Sequence, residues 1–331
     1  MPEGLPLAVT LALAFATKRM TKHNLLVRVF ESCEIMANAT VIVTDKTGTL
    51  TQNMMKTVAL CIGDIQFIEH DITESAQPQE SPEVDRLNGH ADASDYFSSG
   101  KKQKNRVQEE KKLSQISETL SDKLKSVLMS SIAVNSTAFE ETEEGSDETD
   151  FVGSKTETAL LRLLKDLDWE DCESLRNSAD IGKVFPFSSD RKAMATVIKE
   201  DGKARLLVKG AAEVLLKQCK SSVKVTGTDE IETVDIGDSL RQQLEGIMTQ
   251  YQDNALRTLA LCYRDLEGQG DDMAWEDVTK DLVLLAITGI EDPLRKTVTE
   301  SVKQCHQAGL TVIMCTGDNL LTGQYVFASP G

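Results

Sequence analysis

The sequence predicts an α/β protein in which two distant chain segments build one parallel sheet and a large α+β insert lies between them. Three observations carry this. Ala39 to Val43 is a short, β-branched apolar run that ends at once in Thr44-Asp45-Lys46-Thr47-Gly48-Thr49, as a buried strand does when polar residues gather at its carboxyl end. Leu282 to Ile287 and Leu310 to Cys315 are two more apolar runs joined by a helical pattern, and the second ends in Thr316-Gly317-Asp318-Asn319. That is a strand-helix-strand unit with its polar residues where open α/β sheets hold their chemistry. Finally, 331 residues are enough for two domains.

Composition sets limits. Hydrophobic content of 40% allows a sizeable core, and 36 basic against 53 acidic residues give a formal charge of −17, which disfavours nucleic acid as a partner. The seven cysteines are scattered without a C-x-x-C, as expected of reduced thiols rather than a metal knuckle.

Leu5 to Ala16 is apolar apart from Thr10, and Lys18, Arg19 and Lys22 follow. A signal peptide carries its charge before the apolar run, and a bilayer span needs roughly 20 apolar residues. The run is either a buried helix starting at Pro2 or half of a membrane helix with basic residues on the cytoplasmic side. Pro2-Glu3-Gly4-Leu5-Pro6 breaks a helix and frees carbonyls, and a carboxylate beside such a break at membrane depth can ligate a cation. Val27 to Ala37 has the helical spacing of a connector. A carboxylate at the strand end, Asp45, ringed by a lysine, hydroxyls and a glycine, suits phosphoryl transfer. An Asx-turn, with Asp45 bonding its own backbone, explains a bare Asp-Lys-Thr as well.

Val58 to Ile62 is a short strand. Glu69 to Lys112 is polar and charged, expected to be a flexible insert, and its cluster Lys101, Lys102, Lys104 and Arg106 is a solvated run or a docking point. Leu113, Ile116, Leu120, Leu124 and Leu128 have helical spacing, and Glu140 to Asp150 is an acidic loop. Ser154-Lys155-Thr156-Glu157 fits a capping box before an apolar helix. Val184 to Ile198 is a strand, a Ser-Asp turn and a strand. Phe187 there is either core or an exposed platform for a purine, with Lys192 near the phosphates. Ala204 to Val208 is a strand, Lys209-Gly210 a tight turn, and a helix through Val214, Leu215 and Cys219 follows. Asp292-Pro293 would cap and start a helix that Gly309 ends.

Asp45-Lys46-Thr47-Gly48-Thr49-Leu50-Thr51 resembles, unbroken over seven residues, the phosphorylation signature of the P-type ATPases, ion pumps that pass through an aspartyl-phosphate. The resemblance implies catalytic roles for Asp45, Lys46 and Thr316, with Asp45 as nucleophile. It implies Mg²⁺ at Asp45 and the Thr47 carbonyl. Gly153 to Leu160, Phe187 to Lys192, Lys209 to Glu213, Arg257 to Ala260, Asp292 to Arg295 and Thr316 to Asn319 resemble the family's nucleotide and phosphate motifs. They imply ATP contacts at Glu157, Phe187, Arg191, Lys192, Lys209, Arg257, Asp292, Arg295, Gly317 and Asp318. Some relatives carry an arginine where Ser189 stands. Pro2 to Pro6 resembles the unwound centre of the fourth membrane helix of calcium-type pumps, which makes Glu3 a ligand of transported Ca²⁺. Leu13 to Thr17 and Leu26 to Arg28 look most like plasma-membrane-type calcium pumps and their fungal vacuolar relatives.

The layout so implied is a partial membrane helix (1–20), a connector (21–36), two segments of a haloacid-dehalogenase-like phosphorylation domain (37–60 and 282–331), and a nucleotide domain (61–281) with its flexible insert at 69–112. The expected function is part of an ATP-driven calcium-transporting ATPase, membrane-embedded through lipid contacts of the N-terminal helix, with most of this chain cytoplasmic. No segment singles out calmodulin or another regulator. The family's Gly-Asp-Gly-x-Asn-Asp-x-Pro and Thr-Gly-Glu strings do not occur here, so the chain is expected to be a fragment that does not transport by itself. Two other readings stay open: an ATP-binding module without turnover, and a soluble phosphatase of the same fold. The phosphatase is the weaker, because Thr47 stands where its second aspartate would act as acid and base.

Overall fold

The computed structural model describes residues 4–29, 31–69, 109–142, 149–169, 171–200, 202–266 and 274–315. Glu3, Thr316, Gly317 and Asp318 lie outside them, as does most of the 69–112 insert. The chain forms two compact units. One runs up to Leu50 and resumes at Arg295; the other spans Thr51–Leu294.

In chain order the elements are α1 (Gly4–Thr21), α2 (Glu31–Ala37), β1 (Val41–Asp45), β2 (Lys56–Ile62), β3 (Ile65–Ile68), β4 (Glu109–Lys112), α3 (Ile116–Thr119), α4 (Asp122–Ala133), β5 (Phe139–Thr142), β6 (Thr149–Val152), α5 (Lys155–Asp166), α6 (Cys172–Ser178), β7 (Asp180–Ser188), β8 (Ala193–Glu200), β9 (Lys203–Ala211), α7 (Ala212–Leu215), β10 (Cys219–Lys224), β11 (Glu232–Asp235), α8 (Asp238–Asp253), β12 (Arg257–Leu266), α9 (Trp275–Val278), β13 (Leu282–Glu291), α10 (Val298–Gln307) and β14 (Thr311–Cys315).

The smaller unit holds the parallel pair the sequence predicts, but β1 is not the buried strand its apolar run suggests, since Val41, Ile42 and Val43 are exposed. β1 and β14 run from Val41↔Thr311 to Asp45↔Cys315, so Asp45 sits at the carboxyl end. Gly309 closes α10 as expected, with Leu310 N–H donating to Cys305 and Gly309 N–H to His306. The helix starts later than Asp292-Pro293 suggests, after Thr297. Helix α1 leaves Leu7 and Phe15 exposed, unlike a buried helix. Among the described residues, no helix is long and apolar enough to cross a membrane.

The larger unit is a ten-stranded, mostly antiparallel sheet in the order β4-β3-β2-β13-β12-β9-β8-β7, with β10 beside the start of β13 and β11 paired to β10. One face packs Leu207, Leu261 and Leu285 under α4 and α5. The other packs Leu206, Ala260 and Cys262 under α7 and α8. Strand β13 belongs here. It pairs antiparallel with β12 and β2 and, over Leu282–Leu284, parallel with β10, and does not form the first strand of a strand-helix-strand unit with β14. A strand buried on both faces is a continuous apolar run whichever way its neighbours point, which is why Leu282 to Ile287 resembles a parallel strand. The same sheet takes β2, so the break between units falls at Leu50/Thr51 rather than near residue 60.

Other boundaries also move. The helical pattern from Leu113 breaks at Ser121, whose hydroxyl accepts from Leu124 N–H and starts α4 afresh. Residues 109–112 form β4 rather than flexible chain, and the acidic run from Glu140 begins and ends in the hairpin β5–β6. Lys209 and Gly210 lie inside β9, not in a turn, and Cys219 opens β10 rather than ending a helix.

Leu160, 1% exposed in α5, fills one of the two cores. Leu160→Ala is expected to cost about 2–5 kcal/mol, read from the denaturation midpoint of the larger unit, while Leu7→Ala, at an exposed position, should move it by less than about 0.5 kcal/mol.

Candidate functional site

Helix α5 is held to the sheet by apolar burial and by the Thr57 hydroxyl, which donates to the Ala159 carbonyl. Its first turn puts Glu157 over β9. Ser154 makes no side-chain cap, so the capping box does not form. Glu157 turns inward instead. Its Oε1 accepts from Lys209 Nζ at 2.9 Å and from Thr137 N–H at 3.3 Å, and its Oε2 from the Thr137 hydroxyl at 2.7 Å. Glu157 is 5% and Lys209 4% exposed. Burial pushes the Glu157 carboxyl up, but the Lys209 charge and the bonds from Lys209 and Thr137 outweigh it and hold the group below its usual value. Burial lowers the Lys209 ammonium more than Glu157 raises it, with the Arg176 charge pulling in the same direction. Buried charges must be paired, and here they are.

Gly153 makes this arrangement possible. Its φ is +145°, and a Cβ there would lie 2.6 Å from the Ala138 Cβ. A larger residue would push away the loop that carries Thr137.

Strand register decides what else shares this face. Lys209 pairs with Met194 of β8 and Leu261 of β12. Alternation carries the same face along β12 to Leu259 and Arg257, and Arg257 is exposed. On β7 a bulge intervenes: Phe185 pairs with Ala195 and Ser188 with Ala193, so two residues oppose one. The extra residue turns Phe187 to the face of Met194 and Lys209, while Phe185 stays in the opposite core. Pro186, in the bulge, costs no ladder bond because β7 is an edge strand. Phe187 is 62% exposed, so it is not core.

The remaining predicted residues are placed differently. Arg191 lies 4.5 Å over the Trp275 ring and donates to the Pro186 carbonyl, so it braces the loop. Lys192 is exposed, 3.6 Å from Glu213, with φ of +50°. Asp292 does not cap a helix. Its Oδ2 accepts from the Thr51 hydroxyl at 2.7 Å, beside the antiparallel bridge Thr51↔Leu294.

In the smaller unit Asp45 is exposed, and its Oδ1 accepts from Lys46 N–H at 2.7 Å. The Lys46 side chain is buried. Thr47 (φ −74°, ψ 121°) and Gly48 (φ 80°, ψ −17°) are the central residues of a type II turn, whose third position calls for glycine. Arg295 holds that turn by donating to the Gly48 carbonyl at 2.8 Å and the Thr49 carbonyl at 3.2 Å. Among the described residues, no three acidic, histidine or cysteine side chains gather as a metal cluster.

Thr137 and Trp275 are the residues that sequence reasoning missed. Thr137 sits in a polar loop twenty positions from its partner, and no local pattern marks it.

A family model described as the P-type ATPase cytoplasmic domain N matches residues 123–297. Over its whole length the chain is 46% identical to calcium-transporting ATPase 2 of Cryptococcus neoformans, 40% to calcium-transporting ATPase 2 of Schizosaccharomyces pombe, and 34% to human plasma membrane calcium-transporting ATPase 3. It spans 23%, 25% and 24% of those relatives' lengths.

Lys209→Met should leave Glu157 buried and unpaired, at a cost of about 3–5 kcal/mol, and adding Glu157→Gln should recover part of it. Because the folded carboxyl lies below its ordinary 4.5, its contribution is complete above about that pH and fades as the pH falls through the folded value. Denaturation of wild type and Lys209→Met from pH 7 to pH 3 should therefore converge on the acid side.

Proposed function

The chain belongs to the P-type cation-transporting ATPase family, and on that premise we propose that it is the nucleotide-binding and phosphate-accepting part of an ATP-driven calcium pump. One observation carries the nucleotide reading. By strand register, exposed Phe187, the buried Lys209–Glu157 pair and exposed Arg257 share one face of one sheet. An aromatic plate with cations beside it suits a purine that carries phosphates. In this reading Phe187 stacks on adenine, Glu157 accepts from the base with Lys209 paired to it in the same pocket, and Arg257 and Lys192 face the phosphates.

Asp45 is the acceptor. One carboxylate oxygen attacks the γ-phosphorus in line, the bond to the β–γ bridging oxygen breaks, and ADP leaves with that electron pair. Lys46 offsets negative charge near the acceptor, and Arg295 fixes the turn through its carbonyls. Thr316, Gly317, Asp318 and Asp292 enter through the family motifs, Thr316 as a hydroxyl donor to the transferred group. The Asp45 carboxylate and the Thr47 carbonyl are hard oxygen donors, which fits Mg²⁺; that ion commonly binds one or two carboxylates and completes its shell with phosphates and water. When bound, it supplies neutralising charge.

Calcium is the proposed cargo because the matched relatives are named calcium-transporting, and Glu3 is its proposed ligand in a membrane helix of the intact pump. The intact protein would then be integral to a vacuolar or plasma membrane, with these two units on the cytoplasmic side.

With γ-labelled ATP and Mg²⁺, the chain should take up acid-stable label, and Asp45→Asn should abolish it. Equal labelling of the variant would sink the assignment of Asp45. ATP binding with no label at all would leave a binding module without turnover. Joined to a relative's remaining segments, the chain should give calcium-dependent ATPase activity; activity indifferent to calcium would remove the cargo assignment.

A further inference from the structure

Glu157 has two carboxylate oxygens and about four lone-pair positions. Lys209 Nζ and Thr137 N–H occupy Oε1, and the Thr137 hydroxyl occupies one position on Oε2. One acceptor position on Oε2 is left. Two of the three bonds come from a single residue, and that residue is itself fixed. Arg176 Nε donates to the Ala133 carbonyl at 2.6 Å, ahead of Thr137. The Thr196 hydroxyl donates to Asn135 Oδ1 at 3.1 Å, and Ala138 lies against Gly153. The loop therefore presents Thr137 to the carboxylate in one orientation.

We propose that Thr137 is a positioning residue that gives the site its base selectivity: by locking the Glu157 carboxylate with one acceptor position open, it favours a 6-amino purine over a 6-oxo purine. This rests on the nucleotide-binding reading above. An amine donates into the open position, whereas a 6-oxo group presents an oxygen lone pair to a carboxylate oxygen. A site built around one hydrogen bond rejects the analogue that cannot make it. Without the Thr137 hydroxyl, the carboxylate can rotate about its terminal torsion, which is soft, and can meet either base through a water.

The test is binding of ATP and inosine triphosphate to the full chain by calorimetry. The two nucleotides differ at the purine 6-position. Wild type should prefer ATP by about tenfold or more, as the loss of one hydrogen bond to a charged group implies. Thr137→Val keeps volume and N–H but loses the hydroxyl, and should lose most of the preference, with ATP weakened and inosine triphosphate little changed. Thr137→Ser should retain it. Acid-side loss of ATP binding should move to higher pH in Thr137→Val, because one bond favouring the ionised carboxyl is gone. If Thr137→Val does not fold, judged by its melting transition, Thr137→Ala replaces it with the same expectation. A variant that weakens both nucleotides equally, or keeps the wild-type ratio, overturns the proposal, as does a wild type that binds both equally. A wild type that binds no ATP overturns the nucleotide reading itself.

Discussion

The buried ion pair between Glu157 and Lys209 is the constraint on which the larger unit's site depends. Two charges under a tenth exposed are tolerable only when each satisfies the other and the remaining lone pairs are filled. That requirement fixes where α5 must start, since Glu157 has to stand over the β9 residue that carries the ammonium. It fixes the loop before β5, because Thr137 has to reach the same carboxylate. It also explains Gly153, where the loop and the start of α5 come too close for a side chain. The pair is thus a packing condition as well as an electrostatic one.

The sheet around it is an antiparallel platform covered on both faces. Such a platform presents side chains by register, and register can be changed by one residue. The bulge at Pro186 does this for Phe187. Without it the phenyl ring would point with Phe185 into the core under α7 and α8. An edge strand is where a proline and an extra residue cost least, so the position that reaches outward is also the one that can afford the irregularity.

In the smaller unit the logic is that of a parallel strand end. Asp45 is exposed at the end of the strand, and a type II turn carries the chain away immediately afterwards. Arg295 converts that turn from a flexible loop into a braced one, since a guanidinium can hold two carbonyls at once. Its side chain therefore supports the turn after Asp45 through main-chain carbonyls.

Much of this was legible in the sequence because it rests on short-range chemistry. The Asp45 strand end and its pairing partner and the termination of α10 at Gly309 are local strings. Their residue types constrain backbone and reactivity directly. What the sequence left open was partnership. A continuous apolar run such as β13 states that both faces are buried but not the direction of its neighbours, so its sheet was misassigned. A serine three residues before a glutamate states that a capping box could form, but a buried lysine far away in sequence competed for that carboxylate and won. Thr137 carried no mark, because it meets Glu157 only once the loop before β5 has folded back onto the start of α5. The sequence by itself determined which residues could carry charge, stack or turn. The tertiary structure decided which of them meet, because burial forces polar groups to find partners that sequence proximity does not name.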